Sequence, residues 1–213
     1  MAKPRHSRRA LLAWPLILAA GPALAAPPRT KVVTVLGDSI TAGYGLSARN
    51  AVPYQLQLAL AKLGVRAQVR AAGVSGDTTA GGLARVDFSV RKDTDVAVVA
   101  LGANDLLQGQ DPKRTRSNLD AIVRKLKARK IGVVLTGIAA PTEVGGGYAR
   151  DFNAVFPAVA RTHGVPLYAN LLAGVARQPS LNQPDGIHPN ARGAAIIAAR
   201  LAPVVAKALA TRR

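Results

Sequence analysis

An α/β fold, a three-layer α/β/α sandwich around a five-stranded parallel sheet, is predicted by three features of the chain. Short apolar runs alternate with longer stretches in which apolar residues recur at helical spacing, as in a parallel sheet covered by helices on both faces. Crossovers between parallel strands are right-handed, which makes a doubly wound sandwich the natural closure. Finally, Ser39, Gly76, Asn104 and Pro141 all follow the ends of apolar runs, and ligands of such sheets sit at the carboxyl ends of the strands.

In chain order, residues 32–36 are the first strand, an apolar run that ends at Gly37-Asp38-Ser39. Residues 52–63 read as a helix, residues 65–71 as the second strand and residues 82–90 as the next helix. The wholly apolar run 96–101 is the third strand. A helix over 112–130 follows, in which Leu119, Ile122, Val123 and Leu126 share one face while eight lysines and arginines make a solvated basic face. The fourth strand is 132–137, the next helix 148–162, the fifth strand 165–169 and the last helix 192–210. His163, in Thr162-His163-Gly164, reads as a C-terminal helix residue before a glycine cap.

Residues 1–25 stand apart as an export signal. Lys3, Arg5, Arg8 and Arg9 precede an apolar stretch at 10–20, and Ala23-Leu24-Ala25 fits a cleavage site. The Arg8-Arg9 pair also resembles a twin-arginine signal, so both the Sec and the Tat routes stay open. The stretch is short for a membrane span and contains Pro15. Without any cysteine, neither a disulfide nor a lipidated cysteine is available. The expectation is an exported protein, periplasmic or secreted, monomeric, with one domain over residues 26–213. The formal charge of the chain is +18, and the signal takes four basic side chains with it, leaving 25 basic against 11 acidic. That balance implies a weak attraction to anionic membrane surfaces. Nucleic acid is not an expected partner, because aromatic residues are too sparse for a stacking platform.

Gly37-Asp38-Ser39 and, near the other end of the chain, Asp185-Gly186-Ile187-His188-Pro189 supply a nucleophile, a base and a carboxylate. A serine hydroxyl is a weak nucleophile unless an imidazole takes its proton, and the imidazole works best when a carboxylate fixes its tautomer. Asp185 and His188 are close enough for one loop to carry both. With Asp185 on the Nδ1–H, Nε2 is left to face Ser39, provided the fold joins the two chain ends. These residues imply serine-hydrolase chemistry, although no Gly-x-Ser-x-Gly elbow surrounds Ser39. Candidate donors to an oxyanion are the Asn104 amide, the Gly76 N–H and the N–H of Ser39 itself. Asp38, Asp77 and Asp105 read as turn and cap residues beside these groups.

Taken together, the blocks GDSITAGYG, SGDTTAGGLAR, LGANDLL and DGIHPN resemble the SGNH (GDSL-type) hydrolases, with Ser39, Gly76, Asn104 and His188 at that name's four positions. Over residues 31–209 the chain is similar to the periplasmic arylesterase, acyl-CoA thioesterase I and lysophospholipase group of that family. The resemblance implies a flavodoxin-like sheet, an acyl-enzyme on Ser39, a small-molecule ester or thioester substrate and no cofactor. Two departures stand out. Ala71 occupies a position where relatives often carry Asn, which implies a missing hydrogen bond beneath the second block. The segment with Pro141, Glu143, Gly145, Gly146, Gly147 and Tyr148 resembles the family's substrate loop, but Glu143 replaces a typical Asn and three glycines follow. Three successive glycines predict a mobile loop that favours short and medium acyl chains.

Two alternatives remain open at this point: a carbohydrate O-acetyl esterase on the same fold, and a non-catalytic basic binding protein of the cell envelope. No His and carboxylate cluster with metal-ligand spacing occurs, so no metal is expected, and no P-loop or Gly-x-Gly-x-x-Gly element supports a nucleotide cofactor.

Overall fold

The computed structural model describes Met1 and residues 29–211, so residues 2–25 of the expected export segment lie outside the described residues. Five parallel strands, β1 (Lys31–Gly37), β2 (Ala67–Gly73), β3 (Val96–Ala100), β4 (Gly132–Thr136) and β5 (Leu167–Tyr168), pair in the order β2-β1-β3-β4-β5. This is the flavodoxin-like strand order. The middle strands are mostly apolar because both of their faces are covered: Val33, Val35 and Leu36 of β1, all of β3 and residues 133–135 of β4 are buried.

One-turn helix α1 (Ser39–Ala42) follows β1, and α2 (Val52–Lys62) leads to β2. Helix α3 (Thr79–Ser89) leads to β3, while α4 (Ala103–Leu107) and α5 (Pro112–Ala128) lead to β4. Helix α6 (Gly146–His163) precedes β5, and α7 (Ala191–Ala210) closes the chain. Helices α2 and α7 pack together on one face; α3, α5 and α6 pack in sequence on the other. Among the described residues α7 alone is long and apolar enough to cross a membrane. Its buried residues Ile197, Leu201, Val205 and Leu209 form one stripe, which packs against α2 and the sheet as a core helix does.

Boundaries depart from the expected ones where local hydrogen bonds compete with the ladder. The second strand begins at Ala67 rather than Val65, because Val65 N–H bonds back to Leu60 O and closes the end of α2. The fifth strand shrinks to two residues: Val165 N–H caps α6 at Ala160 O, and Pro166 has no N–H to donate. Helix α3 starts three residues early, at Thr79, whose N–H is received by the Asp105 carboxylate.

The register sets up the functional edge. Gly37 is paired with Gly73 on one side and Ala100 on the other, so the segments leaving β1, β2 and β3 emerge side by side. The strand order reverses at β1, which places this edge at the topological switch point.

Candidate active site

Ser39 is the first residue of α1, directly after the central strand. Asp38 caps that turn by accepting from Ile40 N–H at 3.0 Å, as its cap reading required. Its carboxylate is 2% exposed, and burial pushes its pKa up to about 6.

His188 arrives from the opposite end of the chain, on the loop between β5 and α7. Its Nε2 lies 2.9 Å from Ser39 Oγ, and its Nδ1 lies 2.6 Å from Asp185 Oδ2. Asp185 Oδ1 also accepts the backbone N–H groups of Ile187 (2.9 Å) and His188 (3.0 Å). The His188 and Ile187 amides and the His188 ring hold the Asp185 carboxyl down to about 2. An ionised carboxylate only accepts hydrogen bonds, so Nδ1 must carry a proton, and in a neutral ring Nε2 is then the acceptor facing the serine hydroxyl. The ring of Tyr44, just beyond α1, packs at 4.6 Å between centroids on the His188 ring.

The two further loops carry the other candidates. Gly76 sits in a tight turn closed by Asp77 N–H to Val74 O, with φ +85, a conformation that favours glycine. Asn104 Nδ2 donates to Asp77 O at 2.8 Å, which ties the loop after β3 to the loop after β2 and leaves the second amide hydrogen for another acceptor. Beneath them, Asp105 is buried and accepts from Thr79 N (2.8 Å), Thr79 Oγ1 (2.5 Å) and Thr115 Oγ1 (3.1 Å). Arg85 bonds Asp77 Oδ2 at 2.5 Å and donates to Ala72 O and Gly37 O, each at 2.8 Å. It cross-braces the ends of β1 and β2 under the second block, where Ala71 offers no side-chain bond. Sequence reasoning passed over Arg85; its signal was a lone cation in a helical stretch of mostly small and apolar residues.

Residues 141–148 behave differently from expectation. Gly146 and Gly147, expected in a loop, extend the helix expected from Tyr148 and form the first turn of α6, where Ala149 N–H bonds to Gly145 O. The preceding loop is pinned as well: Asn153 both donates to and accepts from the Ala140 backbone, Glu143 pairs with Arg177 at 3.2 Å, and Tyr148 OH donates to Gln110 O. Helical hydrogen bonding and these clamps override the conformational freedom of the glycines. None of Pro141, Glu143, Gly145, Gly146, Gly147 or Tyr148 lines the crevice beside Ser39, which is bounded by Tyr44, Leu46, Val52, His188 and Pro189 among others. That crevice offers only about 10 Å³, too little for more than a water. His163 lies remote from this site, on α6 before the αL cap Gly164, with its ring on Asp120. Among the described residues no group of three or more metal-binding side chains occurs.

Comparison with known proteins shows the family and the fold. The GDSL-like Lipase/Acylhydrolase family matches residues 35–196. "Esterase TesA" of Pseudomonas aeruginosa is 37% identical over 160 residues, 75% of this chain and 80% of the relative. "Thioesterase 1/protease 1/lysophospholipase L1" of Escherichia coli K12 is 37% identical over 157 residues, 73% of this chain and 74% of the relative. The crystal structure of AlinE4, described as an SGNH-hydrolase family esterase, superposes with a TM-score of 0.72 at 40% identity, covering 86% of this chain and 98% of that one.

Proposed function

The chain belongs to the GDSL-like lipase/acylhydrolase family and is a serine ester and thioester hydrolase; from that premise we propose that Ser39, His188 and Asp185 carry out the reaction. The observation that carries the assignment is the unbroken relay from Asp185 Oδ2 through the His188 ring to Ser39 Oγ. Ser39 Oγ attacks the acyl carbonyl carbon while His188 Nε2 takes the hydroxyl proton, and Asp185 stabilises the imidazolium that forms. The developing oxyanion is received by the N–H groups of Ser39 and Gly76 and by the free hydrogen of Asn104 Nδ2. His188 returns its proton to the leaving alcohol or thiol. Water then attacks the acyl-enzyme by the same proton route, releasing the acid and restoring Ser39.

Exposed apolar side chains next to the reacting groups, Tyr44, Val74 and Ile187, suit an aryl or short-to-medium acyl substituent laid over the surface. Residues 141–144, further along the same edge, would meet only the distal part of a longer chain. We also read residues 1–25 as a cleaved export signal, with the remaining basic surface weakly drawn to anionic membranes.

The test is a chain-length series of p-nitrophenyl esters and acyl-CoA thioesters. A burst of nitrophenol and the highest kcat/KM at short and medium lengths are expected. Sugar acetates turned over far faster than any nitrophenyl ester would replace this reading by the O-acetyl esterase.

A further inference from the structure

The serine and its base are held by different parts of the chain, so the 2.9 Å contact between them depends on whatever ties those parts together. One side chain does so with unusual economy. Gln183 Nε2 donates to Tyr44 O at 2.7 Å, on the segment that follows the nucleophile's turn, and to Pro189 O at 3.0 Å, on the residue after the base. Both hydrogens of its amide are thereby used, one across a separation of 139 residues and the other across 6. Its backbone is equally engaged: N–H donates to His188 O at 2.8 Å, and C=O accepts from Gly186 N–H at 2.9 Å. Gln183 therefore stands at the neck of the Asp185 loop, beside the antiparallel bridge between Asn182 and Pro189.

The nucleophile side is shaped to receive it. A Cβ placed on Gly45 would clash with Gln183 Oε1, and the φ of +71 there favours glycine, so the chain passes close to the amide. The Tyr44 carbonyl that the amide holds belongs to the residue whose ring packs on His188.

We propose that Gln183 is a positioning residue of the hydrolytic reaction, a strut that sets the distance and angle between Ser39 and His188 by joining Tyr44 to the base-carrying loop. It touches neither substrate nor reacting atoms. Its effect is geometric: a displacement of about 1 Å between a nucleophile and its base costs on the order of 10²-fold in rate. The inference rests on Ser39 and His188 being the reacting pair.

Gln183→Met keeps the length and volume of the side chain but removes both donors. With active sites counted by burst titration, kcat per titrated site should fall about 10- to 100-fold while KM stays within about twofold. A brace that serves folding alone would lower the melting temperature and the burst amplitude and leave kcat per titrated site unchanged; that result overturns the proposal. Should Gln183→Met not fold, Gln183→Glu decides. A protonated glutamic acid regains one donor toward the two carbonyls and an ionised one repels them, so its rate relative to the parent should rise as pH falls from about 8 to 5. A flat ratio overturns the proposal. Failure of the underlying assignment looks different, because Ser39→Ala would then still show a burst.

Discussion

Two carboxylates flank the same serine and histidine, and they are held in opposite ways. Asp38 is buried at the end of the central strand, one residue from Ser39, and desolvation pushes its pKa up to about 6. Asp185 is half-exposed on a loop, and hydrogen bonds from His188 and Ile187 hold its pKa down to about 2. The contrast extends to their neighbourhoods. Ser39 is positioned by the sheet, through the pairing of Gly37 with Gly73 and Ala100 and the brace of Arg85. The base is positioned by side-chain and backbone bonds within a loop, with Gln183 as its link to the rest of the site. A charge is kept on the exposed side that faces the His188 ring, while the buried side tolerates a carboxylate only as a cap.

The largest expected effect falls on the sheet-held side. Ser39→Ala should lower kcat by about 10⁴-fold or more and abolish the burst, with an unchanged melting temperature, because the Oγ bond to His188 is all its side chain contributes. Near-normal turnover would break the contrast at its root. Next comes Asn104→Ala, which removes a hydrogen bond made in the transition state and should cost about 10²- to 10³-fold in kcat at little change in KM. Because Asn104 also ties two loops together through Asp77 O, its melting temperature should fall too, a loss that steady-state kinetics beside a thermal melt would separate.

The two carboxylates can be told apart by their pH dependence. A neutral Asp38 suits the fold, and its carboxyl in the unfolded chain ionises first as pH rises. Its contribution is therefore complete below about pH 4 and is lost as pH climbs through 6, a change of about 3 kcal/mol. Asp185 runs the other way: its contribution is present above about pH 4 and is lost as pH falls toward 2. Asp38→Asn keeps the acceptor for Ile40 N–H and removes the buried charge. Chemical denaturation should find the variant more stable than the parent at pH 7 and equal to it at pH 4. An advantage that persisted at pH 4 would mean that the charge is not the cause.

The smallest effect is expected at Gly146. It is the first residue of α6, where proline is well tolerated, and no atom lies within 4 Å of an added Cβ. Gly146→Pro should stabilise by about 0.4–1 kcal/mol and leave the ratio of short- to long-chain ester hydrolysis unchanged. A shifted ratio would restore the glycine run as a moving part of the substrate surface.

Much of this was legible in the chain. Apolar runs buried on both faces have no competing local preference, so β1, β3 and β4 fall within a residue of their expected bounds. The edge strands β2 and β5 were displaced or shortened because helix caps at Leu60 and Ala160 claimed their first N–H groups. Two residues of the run of three glycines, Gly146 and Gly147, stand in a helix rather than in the expected loop. Backbone freedom is a property of the unfolded chain, and here the clamps of Asn153, Tyr148 and Arg177 on the surrounding segment decide the conformation.

By itself, then, the sequence determined the layered architecture, and it offered Ser39, His188 and Asp185 as candidate nucleophile, base and carboxylate, the last two close enough for one loop. These rest on periodicity and on contacts a few residues long, which any local reading can reach. Only the tertiary structure decided how Ser39 meets His188 across 149 residues, how far Asp38 is desolvated, that Arg85 braces the ends of β1 and β2, and that Gln183 bonds Tyr44 O from the far end of the chain. Such contacts join residues that no spacing relates, and their strength depends on burial, which exists only once the sheet has closed.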